Sequence, residues 1–228
     1  MASEDIDPVW ENDIYSKGLH LSRYPYDSVV SFVFRNYPRD RPRQQVRIVE
    51  IGCGAANNLW FAAREGFQVA GIDGSASAIE SAKARFESEG LHGDLRSGSF
   101  TQLPWEADSF DLAIERGAIV CVNYENQCRA VEEVRRVLRP GGVFCLNTYS
   151  DRSTSAHGGR KKADGMVADI TEGTLTGVGS LRFLSRAELE QMLSDGWEIL
   201  SLVHLDCDDV TAAKVVRHSE WRVVVRKK

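Results

Sequence analysis

Between Val46 and Tyr149, short and almost uniformly apolar runs alternate with segments of helical period. This alternation restricts what the chain can fold into more than any other feature. Arg47-Ile-Val-Glu-Ile-Gly52, Phe67-Gln-Val-Ala-Gly-Ile-Asp73, Ser109 to Glu115 and Val143 to Tyr149 read as strands. Strands apolar on both faces are covered on both faces, and strand–helix–strand succession favours parallel pairing. Ala55 to Glu65 reads as one helix between them. The next has Ser77 and Glu80 at capping-box spacing, with Ile79, Ala82 and Phe86 as its core stripe. Cys128, Val131, Val134 and Leu138 mark a third, stopped by Pro140-Gly141-Gly142.

Beyond residue 150 the texture changes. Asp151 to Gly179 is rich in Gly, Ser, Thr and cations without a period, the pattern of a functional lid or of a poorly ordered loop. Regularity returns with a capping box at Ser185-Arg-Ala-Glu188 and a stripe of Leu189, Met192 and Leu193. Trp197 to Asp206 and Ser219 to Arg226 read as closing strands, with Trp221, Val223 and Val225 facing one way. One domain is expected: a cap segment (1–45), a ligand-binding core (46–149), a lid insertion (150–184) and a closing helix with strands (185–228).

Composition narrows the function. The 228 residues carry 28 Lys and Arg against 33 Asp and Glu, a net charge of −5, which argues against a nucleic-acid grip. No apolar run is long enough to span a bilayer. Met1 to Asp7 has neither the charge nor the apolar stretch of a secretory leader. Five cysteines, without a Cys-x-x-Cys pair, argue against a disulfide framework or a zinc cluster, so no metal is expected and a reducing cytoplasm fits. Arg152, Arg160, Lys161 and Lys162 in the lid predict a locally positive mouth suited to an anionic small substrate.

The chemistry is concentrated in Val49-Glu50-Ile51-Gly52-Cys53-Gly54-Ala55-Ala56-Asn57, a loop between strand and helix at the carboxyl edge of the sheet. Gly52 and Gly54 permit a tight turn and close approach of a ligand. Asn57 stands where a dinucleotide fingerprint has its third glycine, which points to a cofactor without a pyrophosphate. Glu50 is a carboxylate in an apolar strand, costly unless paired, and suited to a cationic or hydrogen-bond-donating ligand. Asp73 ends the second strand, where an acidic side chain accepts from ribose hydroxyls.

With these residues the chain resembles the class I S-adenosylmethionine-dependent methyltransferases. Glu50 to Gly54 is similar to their first motif and Gly71-Ile-Asp73-Gly-Ser75 to their second. Gly98-Ser-Phe100, Leu103-Pro-Trp105 and Asp108-Ser-Phe-Asp111 resemble the adenine-side motif and fourth strand, and Leu138-Arg-Pro-Gly-Gly142 the turn before the fifth. The resemblance implies an α/β, Rossmann-like three-layer sandwich with a seven-stranded, mostly parallel sheet and an antiparallel final strand. It implies S-adenosylmethionine as cofactor, with Gly52 and Gly54 beneath the methionine portion and Asp73 on the ribose. Gly74, Ser75, Gly98, Ser99 and Phe100 would lie about the adenine, and Glu115 and Arg116 near the sulfonium. Many family members have Asp where this chain has Ser99. Trp10, Tyr15 and Arg23-Tyr24-Pro25-Tyr26 resemble the leading segment of bacterial enzymes that methylate sugars or related small metabolites, which makes Arg23 a candidate for the cofactor carboxylate.

The expected function is methyl transfer to a small molecule. Tyr24, Tyr26, Glu115, Tyr149 and His157 are candidate bases without a reason to choose among them. The competing readings are a methyltransferase acting on RNA or protein, a nicotinamide-dependent oxidoreductase, and a non-catalytic scaffold. His20, His92, His204 and His218 show no metal spacing and read as structural or solvent-exposed. The basic run from Arg35 to Arg47 reads as a solvated linker.

Overall fold

The computed structural model describes residues 8–211 and 214–228; Met1 to Asp7, read above for a leader, lies outside the described residues. A sheet of seven strands forms the middle layer, in the order β3-β2-β1-β4-β5-β9-β8. These are β1 (Arg47–Ile51), β2 (Gln68–Asp73), β3 (Asp94–Ser97), β4 (Phe110–Arg116), β5 (Leu138–Tyr149), β8 (Trp197–Asp209) and β9 (Val216–Lys227). β1 to β5 pair in parallel, while β9 runs antiparallel to both β5 and β8. The small pair β6 (Arg160–Lys161) and β7 (Val167–Ala168) stands apart.

Both faces are covered, as uniformly apolar strands require. One face packs α1 (Asp27–Asn36), α2 (Asn57–Arg64) and α3 (Ala76–Ser88), through Val29, Phe32, Leu59, Ile79, Ala82 and Phe86. The other packs α4 (Tyr124–Val137) and α5 (Arg186–Met192), through Val131, Val134, Leu189 and Leu193, against Val49, Phe144, Trp221, Val223 and Val225. Among the described residues no helix is long and apolar enough to cross a membrane.

Three local expectations are corrected. The N-cap of α3 is Ser75, whose Oγ accepts from the Ala78 amide at 3.0 Å; Ser77 instead donates to Glu11 at 2.6 Å, so Ser77 and Glu80 form no box. Leu138 belongs to β5 rather than to the helix, and Pro140-Gly141-Gly142 lies within that strand, where the register against β4 shifts between Phe110 and Leu112. Polar Asp94 to Ser97, unread in the sequence, forms the edge strand β3. The Ser185–Glu188 capping box is present with both of its bonds.

The segment from Asp151 to Gly179 holds one short helical turn, Thr154–Ala156, and the β6–β7 pair. Its apolar residues Ala156, Val167, Ile170 and Leu175 gather with Val120, Leu181 and Phe183 into a cluster of their own beside the end of the sheet.

Candidate active site

At the carboxyl ends of β1, β2, β4 and β5 lies a cavity of about 290 Å³. The turn after β1 makes its floor. Gly52 and Gly54 have φ of +62° and +52°, conformations that side chains rarely adopt. A Cβ on Gly52 would come within 2.0 Å of the Ala118 Cβ, and one on Gly54 within 2.5 Å of the Tyr15 hydroxyl. The loop therefore leaves room for a ligand and for nothing larger than hydrogen on its own chain.

Glu50 is 2% exposed and reaches the cavity from the α2 face of β1. Its Oε1 accepts from the Asn58 amide at 2.6 Å, and its buried Oε2 has no protein partner. Burial pushes this carboxyl up to about 8 despite the Asn58 bond. Asp73 accepts from the amides of Ser75 and Gly54 at 2.9 and 2.8 Å. Burial raises its carboxyl, and those two amides oppose the rise.

Of the residues singled out in the sequence, Glu50, Gly52, Gly54, Asp73, Gly74, Phe100 and Arg116 line this one cavity. Arg23, Ser75, Gly98, Ser99 and Glu115 do not. Arg23 is exposed, and Ser75 is spent on capping α3. The Gly98 amide donates to the Asp73 carbonyl, and Ser99 accepts from the Thr101 amide. Glu115 is fully buried; its Oε1 accepts from the amides of Ala118 and Ile119, which fixes the turn after β4. Burial raises the Glu115 carboxyl to about 7 against those bonds. Among the candidate bases Tyr26 and Tyr149 line the cavity, while Tyr24 and His157 are exposed outside it.

Trp10 and Tyr15, noted in the leading segment, also line the cavity, and other lining residues were not singled out for it. Trp10, Tyr15, His20 and Ser22 come from the segment that crosses the glycine turn. That segment is tied down by Glu11, which accepts from Ser75 and Ser77, and by α2, where Asn57 donates to the Tyr24 carbonyl and Asn58 accepts from the Tyr26 amide. Val120, Cys121, Thr174, Leu175, Val178 and Leu181 make a mainly apolar wall opposite the turn. Arg152, Arg160, Lys161 and Lys162 are not part of the lining. Arg152 pairs with Asp206 at 3.0 Å, Arg160 with Asp169 at 3.0 Å and Lys162 with Asp164 at 3.5 Å, so the expected positive mouth is not what the cavity presents.

This geometry has counterparts elsewhere. Residues 48–142, from β1 into the start of β5, match the family model described as a methyltransferase domain. That stretch, less than half of the chain, is thus similar to a methyltransferase domain. The chain is 28% identical over 127 residues to a ubiquinone biosynthesis O-methyltransferase of Chelativorans sp., covering 56% of this chain and 49% of that protein. It is 34% identical over 115 residues to the methyltransferase GfsG of Streptomyces halstedii, covering 47% of this chain and 39% of the relative. The chain thus spans about half, or less, of these curated relatives. The fold of a SAM-dependent methyltransferase from Methanosarcina mazei superposes with a TM-score of 0.68 at 22% identity, covering 90% of this chain and 98% of that one.

Proposed function

We propose that the protein transfers a methyl group from S-adenosylmethionine to a small-molecule acceptor, a sugar or related metabolite. The observation that carries this reading is the free Oε2 of Glu50, buried beside a glycine turn that admits no side chain. A carboxylate oxygen left without a partner in that position suits the ammonium of the cofactor's methionine portion. Gly52 and Gly54 would lie beneath that portion, Asp73 would accept from the ribose hydroxyls, and Phe100 would offer its ring to the adenine. The cofactor supplies a methyl carbon made electrophilic by its sulfonium. The chain's own part is alignment and the exclusion of water, which the strap carrying Trp10 and Tyr15 is placed to provide. The apolar wall of Val120, Leu175, Val178 and Leu181, with the lid cations outside the lining, favours an uncharged acceptor over an anionic one.

Heat denaturation with added ligand tests the reading. At about 100 times its dissociation constant, S-adenosylhomocysteine should stabilise the protein by about 2.7 kcal/mol, raising Tm by roughly 5–10 °C. Asp73→Ala should still melt cooperatively but show no rise. A rise with NAD and none with S-adenosylhomocysteine would replace this reading by an oxidoreductase. Methyl-labelled cofactor incubated with cell extract separates the remaining rivals: label in small metabolites supports the proposal, label in RNA or protein redirects it, and none at all indicates a scaffold.

A further inference from the structure

His218 was unremarkable in the sequence, but the fold gives it an ordered set of neighbours. It stands on β9 two residues before Glu220, so both side chains leave the same face of the strand. Its Nδ1 lies 2.8 Å from Oγ1 of Thr174, and its Nε2 lies 3.8 Å from Oε2 of Glu220. The Tyr149 ring meets the imidazole edge-on at 5.5 Å. Glu220 is 2% exposed and is also held by Arg116 at 3.4 Å and Arg222 at 2.5 Å. A carboxylate on the Nε2 side draws the imidazole proton there, leaving the Nδ1 lone pair to accept from the Thr174 hydroxyl. Thr174 lines the cavity beside Tyr149, Leu175 and Val178. A hydroxyl, an imidazole and a carboxylate therefore run in sequence from the cavity wall into the sheet.

We propose that the methyl acceptor is an oxygen nucleophile hydrogen-bonded to Thr174, and that its proton leaves through the Thr174 hydroxyl to Nδ1 of His218. The proposal rests on the methyl-transfer reading above. As the acceptor oxygen bonds to the methyl carbon, the electron pair of the carbon–sulfur bond departs with sulfur. The acceptor proton passes to Oγ1 of Thr174, and the proton already there moves to Nδ1. Glu220 balances the imidazolium. Burial alone would raise the Glu220 carboxyl, but His218, Arg116 and Arg222 hold it down at about 2, so it is anionic throughout the neutral range. Among the described residues, Tyr149 from β5 meets His218, Cys207 lies opposite it on β8, and Arg116 of β4 reaches it through Glu220. The imidazole is 27% exposed, which lets it return the proton to solvent. Thr174 would touch the acceptor; His218 acts through it, and Glu220 is a positioning residue.

The test uses the full chain, methyl-labelled S-adenosylmethionine and the small-metabolite fraction of cell extract, with the bond to the new methyl identified by mass spectrometry. His218→Gln should lower labelling at pH 7 by about 100-fold or more, the scale of a lost proton acceptor. Its residual rate should climb with pH where the wild type is flat, because the acceptor must then ionise unaided. Thr174→Val should behave likewise, and Thr174→Ser should restore most of the rate. Independently of turnover, ¹⁵N shifts of the His218 imidazole should place its neutral-form proton on Nε2, and all three variants should keep the melting shift with S-adenosylhomocysteine. A methyl found on nitrogen or carbon, a His218→Gln rate or pH profile like the wild type's, or a proton on Nδ1 would overturn the assignment. A wild type that shows no melting shift with S-adenosylhomocysteine would overturn the methyl-transfer reading instead.

Discussion

Glu50 carries two opposed demands on one side chain. In the free protein it is buried on a strand, with one oxygen on Asn58 and the other unpartnered, and its carboxyl is raised to about 8. Below the ordinary carboxylate range both folded and unfolded chains hold the proton, and the site costs nothing. As pH rises the unfolded chain releases it first, so stability falls between about pH 4.5 and 8 and is lowest above that. Glu115, raised to about 7, slopes the same way. Glu50→Gln should therefore stabilise the ligand-free protein at pH 8 by about 2 kcal/mol, or roughly 5 °C in Tm, and flatten the fall between pH 5 and 8. The same variant should bind S-adenosylhomocysteine more weakly, since the charge that burdens the empty site is the one an ammonium would use. Melting curves across pH, with and without that ligand, check both. This residue was legible in the sequence because a carboxylate in an apolar strand is conspicuous. His218 was not, because Thr174 and Glu220 become its neighbours only through pairing of distant segments.

Caps and strand ends show where local patterns suffice. Ser185 and Glu188 close their box by themselves, within four residues. Ser185→Ala should cost about 1 kcal/mol and lower Tm by roughly 3 °C, whereas Glu80→Ala should leave Tm unchanged. Thermal melts of the two variants decide it. Ser77 and Glu80 have the same spacing, yet the chain starts α3 two residues earlier and gives Ser77 to Glu11 from the N-terminal strap. That choice is tertiary and has no trace in a four-residue window. Apolar β1, β2 and β4 were plain for the same reason that β3 was not: an edge strand of Asp, Leu, Arg and Ser buries only its leucine. The segment from Asp151 to Gly179 was unreadable because its pairing is two residues long and its apolar side chains meet without a period.

Across the whole molecule, alternation fixed the layers and the glycine turn marked the end of the sheet that holds the cavity. Net charge, by contrast, said little about that cavity. The −5 is a sum over many neutralised pairs, and Arg152, Arg160 and Lys162 of the lid are among those pairs rather than in the cavity lining. The sheet order carries one more consequence. β9, the last strand in the chain, lies between β5 and β8 rather than at an edge. During synthesis everything from β1 to β5 can assemble while β8 still lacks the strand through which it joins the sheet, and β5 presents an unpaired edge. Closure awaits a long-range pairing, which is entropically slow and exposes strand edges to other chains. Refolding should thus include a late phase in which Trp221, fully framed only when β9 inserts, changes its fluorescence. Weakening β9 with Val223→Ala should slow that phase and increase aggregation on the way, while fluorescence changes from the β1–β5 half keep their pace.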